Sequence, residues 1–185
     1  PVRNGSFDHE LLLPRSLSFD QDGPKVTCFA AQGGINALGY RPLWFHGTMP
    51  QDSASRDTAG PRLTVRPVYD IATMGTVPVA SSSALTAALP LKFEVMLSDP
   101  GGINVIGTGP DEGLTMEIPG ALSRRSLNST FLFDEGDFRK GVAAVTLGES
   151  SLRKGRYDLV LTAQDLLGNV SRTTIALEIT DPLLP

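Results

Sequence analysis

The segment Tyr157-Asp-Leu-Val-Leu-Thr-Ala-Gln-Asp165-Leu-Leu-Gly168-Asn169-Val-Ser171-Arg-Thr-Thr-Ile-Ala-Leu-Glu-Ile179 constrains this chain most. Tyr157, Leu159, Leu161 and Ala163 fall on one side, with Asp158, Thr162 and Gln164 opposite. Beyond a polar corner, Ile175, Leu177 and Ile179 alternate in the same way with Thr174, Glu178 and Thr180. Successive strand side chains point to opposite faces, so a period of two sustained this long specifies a sheet with one buried face. Gly168-Asn169 supplies a corner that takes positive φ at little cost. Two paired strands are expected here, and with them a structural or binding module rather than a self-contained enzyme.

The same signal recurs upstream. Leu91, Phe93, Val95 and Leu97 alternate with Lys92, Glu94 and Ser98, and Leu114, Met116 and Ile118 with Thr115 and Glu117. Further strands are expected at Arg62–Val68, Ser129–Phe133 and Val142–Leu147. Met74–Ala88 is rich in Ala, Ser and Thr and fits either a loop or a short helix at Ser83–Leu89. Six or seven short strands over about 120 residues, separated by turn signals, fit an immunoglobulin-like antiparallel β-sandwich. The fold class is therefore all-β, with the sandwich at 61–181.

Residues 1–49 read as a smaller, incomplete β unit that belongs to a larger sandwich beginning upstream. Strands are expected at Phe7–Leu13, at Lys25–Ala31 and at Tyr40–His46, with a turn at Asp20-Gln-Asp-Gly23. Pro42 favours an edge position for the last of these. The polar stretch 50–60 reads as a linker, and 182–185 as a linker to a further module.

At 185 residues the chain can bury a real core, and 41 % hydrophobic with 19 % charged residues is a globular composition. A net charge of −4 without a dense Lys/Arg stripe argues against a nucleic-acid partner. Arg124-Arg125 and Arg153-Lys154 read as solvated turn charges. No apolar run approaches the roughly 18 residues of a membrane span. The chain opens on Pro1-Val-Arg-Asn-Gly5 with no signal peptide, as a piece of something larger would.

Candidate chemistry is sparse. A cysteine dyad would have to use Cys28 with His9 or His46, since there is one cysteine and there are two histidines. Cys28 sits mid-strand beside Val26 and Ala30, which makes it an inert core thiol. Zinc needs about four clustered nitrogen or sulfur ligands, which these residues do not supply. Calcium takes carboxylates from loops, and Asp20, Asp22, Asp99, Asp111, Glu112, Asp134, Glu135 and Asp137 lie at expected strand ends. None shows the EF-hand spacing, and acidic loops are mostly just solvated turns. Gly107-Thr-Gly109-Pro-Asp-Glu-Gly113 precedes a strand pattern and has neither a lysine nor a helix to cradle phosphate. Tyr40, Trp44 and Phe45 form the one aromatic cluster, expected at a seam between the two units rather than as a sugar platform. Asn4, Asn128 and Asn169 match the glycosylation pattern. No catalytic, cofactor-binding or metal residue is assigned.

Several segments together resemble one family. Asp99-Pro-Gly-Gly102-Ile103-Asn104-Val-Ile-Gly107-Thr-Gly109 resembles a D-x-x-G-I-N-x-x-G-x-G segment of gingipain-type cysteine peptidases, in particular the sortase-like peptidase of bacterial type IX secretion. Asn4-Gly5-Ser-Phe7, Leu13-Pro14 and Lys25–Ala30 are similar to that family's early strands, and Asp57-Thr-Ala-Gly60-Pro61 to its D-x-x-G-P opening. Phe138-Arg-Lys-Gly141, Leu152-x-x-Gly155 and Ala163-Gln-Asp165-x-x-Gly168-Asn169 resemble its tail. The chain departs from the pattern at Arg156-Tyr157, at Gly168 and at Pro110-Asp111.

The resemblance implies the β-sandwich region C-terminal to a caspase-like catalytic domain, whose catalytic Cys and His lie upstream. This fragment would then be no enzyme, need no cofactor, and lie outside the cell or on the bacterial surface. Its partners would be the parent's own peptidase domain and an outer-membrane β-barrel shuttle protein. The competing expectation is an extracellular adhesion or carbohydrate-binding module.

Overall fold

Alternating side chains build nearly everything seen in the computed structural model, which describes residues 6, 25–43, 57–68, 79–81, 84–106, 112–148 and 152–181. The chain divides into two units, Arg15–Arg56 and a larger one of Pro1–Pro14 with Asp57–Pro185.

In the smaller unit, β1 (Lys25–Gln32) and β2 (Ile35–Pro42) form an antiparallel hairpin in the register Gln32↔Ile35 to Lys25↔Pro42. Gly33 and Gly34 close it with φ of 56° and 84°, the double positive φ that a two-residue type I′ turn requires. This moves the second strand ahead of its expected place at Tyr40–His46; residues 44–50 lie outside those described. The hairpin is a two-stranded sheet whose described side chains are exposed apart from the half-buried Val26, so alternation here marks no core face among the described residues. Cys28 is therefore exposed and not the core thiol expected from its neighbours. Tyr40 is 76 % exposed, while Trp44, Phe45, His9, His46 and the Phe7–Leu13 segment lie outside the described residues.

The larger unit is a sandwich of two sheets. Its strands are β3 (Arg62–Pro67), β4 (Val79–Ser81), β5 (Ala84–Ala87), β6 (Leu91–Ser98), β7 (Ile103–Asn104), β8 (Thr115–Ile118), β9 (Leu122–Ser126), β10 (Phe131–Asp134), β11 (Asp137–Leu147), β12 (Gly155–Asp165) and β13 (Val170–Ile179). One sheet has the order β10-β11-β6-β3; the other runs β4-β5-β13-β12-β8-β9, with β7 also paired to β12. Leu91, Phe93, Val95 and Leu97 of β6 turn inward to meet Leu159, Leu161, Ile175, Leu177 and Met116. Each large apolar side chain buried in this way contributes about 1.5–3 kcal/mol relative to exposure, which makes the interlayer core the main stabilising term. Val160, on the opposite parity, is also buried, where it sits in register between Glu117 and Thr174 in mid-sheet.

Three local expectations are corrected. Ala84–Ala87 is a strand and not part of a helix: Leu85 and Ala87 are buried, and the segment pairs in parallel with Ala176–Ile179. A single helical turn would close too few hydrogen bonds to compete with that ladder. The sandwich is accordingly not wholly antiparallel. Arg124 and Arg125 lie on β9 rather than in a turn, and Arg124 pairs with Glu117 of β8 at 2.9 Å. The strand expected to begin at Ser129 starts at Phe131, after a 3-10 turn at Asn128–Thr130.

At the entry to β12, the Tyr157 hydroxyl donates to the Arg153 carbonyl at 3.0 Å and accepts from the Arg153 N–H at 3.3 Å. Immunoglobulin-type sandwiches use a tyrosine corner of this kind. Lys154 beside it forms an ion pair with Asp181.

Candidate functional site: a three-carboxylate clasp

Asp57, Asp99 and Asp165 each offer a carboxylate oxygen within 4.8 Å of the others. Each opens an Asp-x-x-Gly segment: Asp57 to Gly60, Asp99 to Gly102 and Asp165 to Gly168. In each, the carboxylate accepts the N–H two residues on, from Ala59 at 3.0 Å, Gly101 at 2.7 Å and Leu167 at 2.9 Å. This is the Asx turn, by which an aspartate bonds its own local backbone. The cluster is three such turns brought nose to nose.

Strand pairing brings them together. The short β7 binds the end of β12 in the register Gln164↔Asn104 and Asp165↔Ile103, and Leu166 N–H donates to the Gly102 carbonyl at 3.1 Å. This seats the Asp99 turn on the β12–β13 corner. Gly102 has φ of 96°, and a Cβ there would lie 2.6 Å from Leu166 Cδ1 and 2.9 Å from Phe138 Cδ2. At Gly60 a Cβ would come within 2.5 Å of the Val170 carbonyl carbon, so the Asp57 segment lies directly on β13. Asp57–Gly60, read from sequence as the end of a linker, is thus tied to the sandwich.

Asn169 links two of the turns. Its amide nitrogen donates to Asp165 Oδ2 at 2.6 Å and to the Asp57 carbonyl at 3.1 Å, while its backbone N–H donates to Asp165 Oδ1 at 2.7 Å. Asp165 is fully buried, yet both its oxygens accept hydrogen bonds. Asp99 is 3 % exposed; burial, with the Asp165 and Asp57 carboxylates nearby, holds its pKa above the ordinary carboxylate value, against the pull of the Gly101 N–H.

Three hard oxygen donors at this spacing suit a cation such as calcium in type. The bonds present are structural, however, and no histidine or cysteine stands among these residues to act as base or nucleophile. Of the acidic residues singled out from sequence, Asp99 belongs to the cluster. Asp134, Glu135 and Asp137 stand apart at the β10–β11 turn, and Asp20, Asp22 and Asp111 lie outside the described residues. Asp57 and Asp165 were missed as partners, although the repeated Asp-x-x-Gly spacing was the available signal. The Gly107–Gly113 loop falls largely outside the described residues; Gly113 itself takes φ of 75° against Asn128. Among the described residues no helix is long and apolar enough to cross a membrane.

No protein-family model matches the chain, and none of the curated proteins does. Among solved structures it is similar to dimeric latent PorU from Porphyromonas gingivalis, with a TM-score of 0.57 and 18 % sequence identity. That likeness covers 93 % of this chain but 15 % of the other, so this chain spans a small part of the protein it matches. At this identity the shared property is the fold: an all-β sandwich like the one in PorU.

Proposed function

We propose that this chain is a non-catalytic β-sandwich accessory region of a secreted bacterial cell-surface cysteine peptidase resembling the type IX secretion sortase. Its work is mechanical: it braces a caspase-like catalytic domain and offers sheet faces and edges to partners, an outer-membrane β-barrel shuttle protein among them. The observation that carries this reading is the clasp. Three of the segments behind the family resemblance, at Asp57, Asp99 and Asp165, lie far apart in sequence and meet at one end of the sandwich. The PorU-like fold supports it further. The reading calls for no cofactor and assigns no catalytic residue.

The test is the intact gene upstream of Pro1. A caspase-like domain with a His and a Cys at the ends of parallel strands is the expected result. A signal peptide leading straight into this chain, or unrelated repeats, would overturn the reading.

A second reading, an extracellular adhesion or carbohydrate-binding module, draws on the hairpin. Tyr40 and Phe29 share one of its faces and are 76 % and 67 % exposed, open to stacking against a sugar.

A further inference from the structure

The outer face of the four-stranded sheet carries an ordered pair of rows. In the first, Arg62 of β3, Ser98 of β6 and Lys140 of β11 stand in register across three strands. In the second, two residues along, Thr64, Met96 and Val142 do the same. Directly opposed residues of an antiparallel pair share a face, with Cβ atoms about 5 Å apart. The first row therefore sets a serine hydroxyl between two cations roughly 10 Å apart. The second row, about 6.7 Å away along the strands, is mainly apolar.

Both rows line one open depression of about 390 Å³, and Asp134 is the one carboxylate among its described lining residues. Arg66 at its far end is already committed to Glu94. Among the described residues Arg62 and Lys140 form no ion pair. An unpaired guanidinium offers a planar fork that matches a carboxylate, and lysine adds a point charge. Met96 and Val142 are half-buried and present apolar area that a purely anionic ligand would leave wet.

We infer that this face docks an extended acidic peptide in which a carboxylate residue and an apolar residue stand two positions apart. In an extended chain residues i and i+2 project from one face about 6.7 Å apart, the spacing of the two rows. The carboxylate sits over Ser98 between Arg62 and Lys140, and the apolar side chain covers Met96 and Val142. A sulfated sugar or inorganic anion has nothing to place on the apolar row of Met96 and Val142. The inference rests on this module's own surface and does not depend on the accessory-region reading.

The experiment titrates the 185-residue chain with a fluorescein-labelled peptide of repeating Ser-Asp-Ser-Leu. Binding is followed by anisotropy and by amide chemical shifts. Saturable binding is expected, with shifts centred on Ser98, Met96 and Lys140. Replacing Asp by Asn, or Leu by Ser, in the peptide should weaken it at least tenfold. The double variant Arg62→Gln/Lys140→Gln should do the same while its thermal unfolding matches the parent. Met96→Ser should lose only the preference for Leu. Absence of binding at millimolar peptide, shifts centred elsewhere, or equal affinity for the Asn peptide would overturn the inference. Displacement of the peptide by a sulfated oligosaccharide at equal charge would overturn it too, by showing a general polyanion patch.

Discussion

The side-chain amide of Asn169 reaches back 112 residues to donate to the Asp57 carbonyl at 3.1 Å while also holding Asp165 Oδ2 at 2.6 Å. One planar group thereby fastens the Asp57 segment to the corner of the β12–β13 pair. Asn169→Ala removes both bonds and leaves a buried carboxylate oxygen short of a donor. A bond to a charged group is worth about 1.5–3 kcal/mol and an ordinary one about 0.5–1.5. The expected loss is about 2–4 kcal/mol, read from urea unfolding, with new protease sensitivity near Asp57. An unchanged midpoint would show that the clasp carries no stability.

Asp99 should make stability depend on pH in an unusual direction. Its pKa in the folded protein is raised above the ordinary 3.8, first by burial and then by the Asp165 and Asp57 carboxylates. The folded state therefore holds this proton to higher pH than the unfolded chain does. Its contribution is fully present below 3.8 and is lost as pH rises through the raised value. Asp99→Asn keeps an oxygen for the Gly101 N–H and removes the charge. At neutral pH the variant should be the more stable, and the difference in melting temperature should shrink as pH falls toward 4. A difference constant with pH would remove the electrostatic explanation.

Glycines of similar φ should tolerate alanine differently. Gly102 and Gly136 take φ of 96° and 74°, but only Gly102 has neighbours where a Cβ would stand. Gly136→Ala should cost about 1–2 kcal/mol for the left-handed backbone. Gly102→Ala adds about 1–3 kcal/mol of overpacking against Leu166 and Phe138. Gly168, at φ of 93°, should lose about 1–3 kcal/mol on substitution by valine. Equal melts for the Gly102 and Gly136 variants would contradict the crowding.

Tyr157→Phe deletes the hydroxyl bridging both backbone groups of Arg153. About 1 kcal/mol should be lost on unfolding, with faster amide exchange at Arg153. Exchange at that amide equal to the parent's would show that the corner does not depend on the hydroxyl.

Cys28 should react with a thiol reagent in the native protein as fast as in denaturant, because the side chain is open to solvent. Protection by more than about tenfold would require a cover over the hairpin.

The sandwich was legible because β6, β8, β12 and β13 each bury one face, and burial writes itself into sequence as alternation. On the two-stranded sheet the same pattern misled: Val26, Cys28 and Ala30 alternate, yet Cys28 and Ala30 are exposed. Ala84–Ala87 escaped because four residues carry too short a pattern, and their state is fixed by pairing with Ala176–Ile179. The Gly168 corner was readable, since positive φ selects glycine locally. The clasp was not, because each Asp-x-x-Gly turn is locally complete. The two-residue pairing of β7 with β12 seats the Asp99 turn, and Gly60 packed on β13 with the Asn169 amide brings in the Asp57 turn.

The clasp also has a history in time. A ribosome makes the N-terminal side of a chain first, so Asp57 emerges well before Asn169 exists to hold it. Closing so long a span costs little more entropy than closing a medium one, but it waits on every pairing in between. Until Asn169 is made the Asp57 carbonyl lacks this donor, so the clasp can close only once synthesis has passed through β12.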